Sequence, residues 1–149
     1  MVRQETLNTL IDLARNDADE AAGQLRQLAA ERHEAQQQLD MLRDYRLDYA
    51  ERLQKAMHTG LSASNYHNFR QFIATLDEAI SQQNKAVAQI DAKIDAGRGR
   101  WQAEQRKLNS YETLQSRQLR QRAVLENRRE QRANDDISAS RPRRASHSY

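Results

Sequence analysis

The sequence predicts an all-α protein: two long helices joined by a tight turn and folded against each other as an antiparallel coiled-coil hairpin. Three observations carry that prediction. An apolar repeat of seven residues runs along most of the chain, and it breaks once, at Met57–Ser64 (MHTGLSAS), around the one glycine between Gly23 and Gly97. The composition then rules out a thick interior. Of 149 residues, 38% are hydrophobic and 30% charged, with four Gly, one Pro and no Cys, and the mean hydropathy is −1.04. Such a chain can line a thin seam, which needs only about two or three apolar positions in seven.

The turn is the element on which the others depend. Glycine admits the left-handed conformation that ends a helix, and serine accepts a bond from a free N–H at the start of the next. Gly60 followed by Ser62 and Ser64 supplies both signals. The expected boundaries are a first helix over about 5–57, a turn over 58–63 and a second helix over about 64–132, within one domain of residues 1–132. At 1.5 Å per residue the helices would be roughly 80 Å and roughly 100 Å long. The stretch 133–149 is rich in Ser and Arg, contains Pro142 and has no periodicity, so a disordered tail is expected there.

Stepping the first arm by alternating fours and threes gives Leu7, Ile11, Ala14, Ala18, Ala21, Leu25, Leu28, Arg32, Ala35, Leu39, Leu42, Arg46, Tyr49, Leu53 and Ala56. Only Arg32 and Arg46 interrupt an apolar stripe. The second arm gives Tyr66, Phe69, Ile73, Leu76, Ile80, Gln83, Val87, Ile90, Ile94, Gly97, Trp101, Glu104, Leu108 and Tyr111, then weakens to Leu114, Leu119 and Leu125. A repeat held this long keeps one stripe facing a partner through a supercoil. Folding the arms about Leu61 pairs positions whose numbers add to about 122. Leu25 then faces Gly97, Ala21 faces Trp101 and Ala14 faces Leu108, so large residues meet small ones, as close packing within one chain requires. Gly97 and Gly99 each cost a helix about 1 kcal/mol relative to Ala. Gly97 is expected to admit a close helix approach and Gly99 to be merely tolerated, with a flexible joint as the rival explanation.

Charge is unevenly spread. Residues 1–56 carry 8 basic and 11 acidic side chains, whereas residues 98–132 carry 10 basic and 4 acidic. The excess gathers at Arg117, Arg120, Arg122, Arg128, Arg129 and Arg132. A nucleic-acid surface is one reading, but the stretch has few aromatics to stack on bases and no recognised motif, so an acidic protein partner is favoured.

Chemistry is not expected. His33, His58, His67 and His147 are scattered, the GRG at 97–99 lies in a helical pattern and cradles no phosphate, and a helix pair offers no pocket to shift a carboxylate. Without cysteine there is neither disulfide nor thiolate–metal site. No apolar run approaches the roughly 20 residues of a membrane span, and the opening MVRQETLNTL is polar, so a soluble, cytoplasmic chain without cofactor is expected.

One surface does stand out. Gln38, Leu42, Tyr45 and Tyr49 share a helix face at spacings of 4, 3 and 4, and Phe72, Leu76, Ala79 and Gln83 share another at the same height. These residues either pad the seam or form an aromatic-bearing contact site, since exposed aromatic patches commonly mark partner surfaces.

The segments ETLNTLIDLA, AAGQLRQL, QQQLDMLRDYRLDY, NYHNFRQFIATLDEAI and W-(x)6-L-(x)2-Y-(x)2-L-Q-(x)2-Q, in this order, resemble the FliJ family of the bacterial flagellar type III export apparatus over about residues 5–132. The resemblance implies a γ-stalk-like hairpin at the centre of the FliI ATPase ring, which it helps to assemble. It also implies contact with the export gate FlhA, escort of FlgN-like and FliT-like chaperones, proximity to FliH, and peripheral association with the inner membrane at the flagellar base. By the same likeness the gate surface falls on Gln38, Leu42, Tyr45, Tyr49, Phe72, Leu76 and Ala79, and the ring end on the six arginines of 117–132. At 83 the family pattern has His and this chain has Gln. The rival readings are the corresponding stalk of an injectisome, a nucleic-acid-binding coiled coil and a homodimeric scaffold.

Overall fold

In the computed structural model, residues 3–140 are described. They form two helices and, among the described residues, no strand: α1, Gln4–Thr59, and α2, Ala63–Ser140. The linking residues act as the sequence predicts. Gly60 adopts a left-handed φ of 94°, and Thr59 Oγ1 donates to the Lys55 and Ala56 carbonyls to close the last turn of α1. Ser62 caps α2: its Oγ accepts from the Asn65 N–H at 3.1 Å, while its carbonyl accepts from the Tyr66 N–H at 2.9 Å. Ser64, the other candidate, lies inside the helix.

The chain forms two compact units. The turn unit is Asp17–Glu104 and the terminal unit is Met1–Asn16 with Gln105–Tyr149. In the turn unit the stripe positions Ala18, Ala21, Ala35, Leu39, Leu53, Leu76 and Val87 are buried. Ala35, Leu39 and Val87 form one cluster, with Ile80 and Ile90 packed against it. Arg100 Nη1 donates to Gln24 Oε1 at 2.7 Å, and a Cβ built on Gly97 would lie 2.9 Å from Leu25 Cδ2. Both contacts join residues that the predicted register places opposite each other. Gly97 therefore sits where the helices approach closely, whereas a Cβ on Gly99 would meet open space, and α2 runs through both without a break.

In the terminal unit Leu7, Ile11, Ala14 and Leu108 form a second cluster, flanked by Tyr111. Gln115 Nε2 donates to Asn8 Oδ1 at 2.8 Å, and Arg15 pairs with Glu112 at 3.5 Å. The Asn8–Gln115 pairing follows the predicted register, whereas Arg15 reaches more than a helical turn past the position opposite it.

Two expectations need correction. The second helix does not stop near 132, and residues 133–140 are helical rather than disordered. The segment Ala133–Ser140 contains no glycine or proline, and the one proline, Pro142, comes after it. Ser-rich composition alone does not end a helix whose backbone bonds are already propagating. The rest of the expected tail, 141–149, lies outside the described residues. Trp101, placed on the seam by periodicity, remains 37% exposed. A seam only two helices wide has no third element to cover the outer edge of an indole.

Candidate functional site

The predicted surface assembles within the turn unit. Tyr45 and Tyr49 lie in the last part of α1, and Phe69 and Phe72 lie in the first turns of α2 after Ser62. The register therefore puts four rings at one height. Tyr49 is their hub, with centroids 4.4 Å from Phe72 and 5.1 Å from Phe69, while Tyr45 meets Phe72 edge-on at 5.9 Å and 71°. The edge-to-face contact sets the positive rim of one ring against the negative face of the other. Tyr45 is 51% exposed, so one side of this cluster faces outward.

The remaining members differ in what they offer. Leu76 is buried, whereas Leu42, Tyr49, Phe72 and Ala79 are half-buried and Gln38 is exposed. Leu76 thus supports the surface from beneath. Gln83 is anchored in the seam. Its Nε2 donates to the Ala35 carbonyl at 2.8 Å and lies 3.3 Å from Gln38 Oε1. That bond satisfies one of the two polar side chains, Gln83 and Glu104, that interrupt the α2 stripe.

Beside the rings is an open groove of about 380 Å³ lined by Gln38, Met41, Leu42, Tyr45 and Gln83. None of the lining residues is charged, in a chain of which 30% is charged. Met41, which the seven-residue repeat does not single out, is 70% exposed at the groove wall. Its spacing from Gln38 and Tyr45 by three and four residues is the signal that identifies it, together with its size. Phe69 is a second addition: periodicity assigns it only to the seam, although it extends the ring cluster.

The arginines of the terminal unit are arranged otherwise. Arg117, Arg120, Arg122, Arg128, Arg129 and Arg132 all lie on α2 and are exposed, and none forms an ion pair among the described residues. At 3.6 residues per turn they occupy more than half of the helix circumference and do not gather into one face. Arg120 and Arg128 border a shallow groove with Gln121, Val124 and Leu125, and Arg117 borders another with Asn109, Ser110, Thr113 and Leu114.

Among the described residues no cluster of His, Asp or Glu could hold a metal, and no helix is long and apolar enough to cross a membrane. The features that remain are an outward aromatic surface, an uncharged groove and a cationic helix, all of which suit contact with proteins. The family described as flagellar FliJ protein matches residues 3–147. The flagellar FliJ proteins of Salmonella typhi and of Escherichia coli K12 are each 33% identical over 138 residues, covering 93% of this chain and 94% of theirs. A solved structure described as a putative YscO homologue of Chlamydia trachomatis has the same fold, with a TM-score of 0.68 at 14% identity over 93% of this chain and 94% of that one. The chain belongs to the flagellar FliJ family.

Proposed function

We propose that the protein works in flagellar type III protein export as a non-catalytic stalk, joining the FliI ATPase to the FlhA gate. The observation that carries this reading is the aromatic surface of the turn unit: Tyr45 stands half-exposed on Phe72, beside an uncharged groove, in a family member. In this reading Gln38, Leu42, Tyr45, Tyr49, Phe72 and Ala79 meet the gate, with Leu76 supporting them. The arginines of 117–132 face the ATPase ring, where exposed cations suit acidic partner surfaces. FlgN-like and FliT-like chaperones are further partners, and FliH is a neighbour in the same apparatus. The chain acts at the cytoplasmic side of the inner membrane through these proteins rather than through lipid.

Tyr45→Ala with Phe72→Ala tests the gate assignment. Truncating two aromatic anchors of an interface should weaken binding to the FlhA cytoplasmic domain at least about tenfold, by calorimetry, with helicity unchanged by circular dichroism. Unchanged affinity would reduce the rings to seam padding.

A further inference from the structure

The stripe of α1 is apolar except at Arg32 and Arg46, and each of these cations meets a carboxylate of α2. Arg32 Nε lies 2.5 Å from Asp91 Oδ1, and Arg46 Nε donates to Asp77 Oδ1. The arginines are two heptads apart on α1, and the aspartates are two heptads apart on α2. The two polar breaks of the α1 stripe are thus matched across the seam.

The pairs differ in form and surroundings. Arg46 engages both oxygens of Asp77, with Nη2 3.4 Å from Oδ2, whereas Arg32 binds one oxygen of Asp91. A two-pronged contact fixes angle as well as distance. Arg46 directly follows Tyr45 and lies between Leu42 and Tyr49 on the stripe, while Asp77 directly follows Leu76. No ring contact involves a residue beside Arg32 or Asp91 among the described residues.

Both pairs are substantially exposed, and exposed ion pairs contribute little to stability. Their value must lie elsewhere. Burial of Leu and Ala keeps the stripes face to face but is non-directional, so it tolerates small rotations that a two-pronged contact does not. Rotation of either helix would carry Tyr45 away from Phe72.

We infer that Arg46 and Asp77 are positioning residues for the aromatic docking surface, holding the two helices at the rotation that sets Tyr45 and Tyr49 against Phe72. The inference rests on the reading that this surface docks a partner. The hydrogen bond to Asp77, and then its charge, raise the Arg46 guanidinium further above an ordinary value that already keeps it cationic throughout the neutral range.

The test uses the full chain with Arg46→Ala, the exchanged pair Arg46→Asp/Asp77→Arg, and Arg32→Ala as the matched control. Two quantities are read: the nuclear Overhauser cross-peaks between the Tyr45 and Phe72 rings, and affinity for the purified FlhA cytoplasmic domain. Arg46→Ala should abolish the cross-peaks and weaken binding about tenfold, Arg32→Ala should stay within about twofold of wild type, and the exchange should restore most of both. Cross-peaks and affinity that persist in Arg46→Ala, or that fall equally in Arg32→Ala, overturn the inference. Were wild type not to bind the gate domain, the docking reading would fall and the rings alone would decide. Cross-peaks that vanish in Arg46→Ala and return in the exchange then uphold the clamp, and cross-peaks that survive Arg46→Ala overturn it.

Discussion

The turn unit and the terminal unit use the same repeat to different ends. In the turn unit the seam alternates apolar clusters with polar links that cross it: Arg32 to Asp91, Gln83 to the Ala35 carbonyl, and Arg46 to Asp77. In the terminal unit the core is Leu7, Ile11, Ala14 and Leu108, and the links from Gln115 to Asn8 and from Arg15 to Glu112 flank the stripe instead of interrupting it. The apolar clusters hold each unit together, and on the reading proposed above the Arg46–Asp77 pair adds orientation to the ring surface. A cationic helix that offers charge on many sides has less need of such orientation.

The most severe way to probe this contrast is to remove a core side chain from each unit. Leu39 is 2% exposed and Leu7 is 0% exposed, so truncation to Ala should cost about 3 kcal/mol at either site. Hydrogen exchange should locate the damage: Leu7→Ala should deprotect amides near 4–16 and 105–115, and Leu39→Ala those near 32–46 and 77–91. Uniform loss of protection in both variants would erase the distinction between the units.

A smaller effect is expected at the turn. Gly60→Ala must place a side chain at a φ of 94°, although a Cβ there would meet nothing within 4 Å. The penalty is therefore one of backbone strain alone, about 1 kcal/mol by urea unfolding. A neutral result would mean that the turn relaxes to another geometry.

The smallest effect distinguishes the two glycines inside α2. Gly99→Ala gains helix propensity in open space and should stabilise the chain by about 0.5–1 kcal/mol. Gly97→Ala gains the same propensity but presses on Leu25 Cδ2, so it should stabilise less or not at all. Equal gains at both sites would show that Leu25 moves aside freely. Protection across 95–101 matching its flanks would exclude a flexible joint.

Much of the fold is legible in the sequence because a coiled-coil seam is written as periodicity. Leu7, Ile11, Leu39 and Leu76 are identifiable as core residues from spacing alone, and the register follows from the turn at Gly60. The ring surface is also readable, since Tyr45, Tyr49 and Phe72 share a height once the register is set. What periodicity leaves out is angle and local shape. Arg32 and Arg46 read as faults in the stripe because their partners lie on the other helix, beyond any local window. Met41 escapes because it stands off the stripe, although the groove it walls depends on that displacement. The end of α2 is misjudged when Ser-rich composition is given more weight than the absence of a breaker before Pro142.

From Leu119 to Ser140 every described residue of α2 is exposed. No packing demand restricts which side chains this segment carries, beyond the modest preferences of the helix itself. Substitutions there can alter charge and stickiness while leaving both apolar clusters untouched. This length of helix can therefore be rewritten to suit a different neighbour at almost no risk to folding.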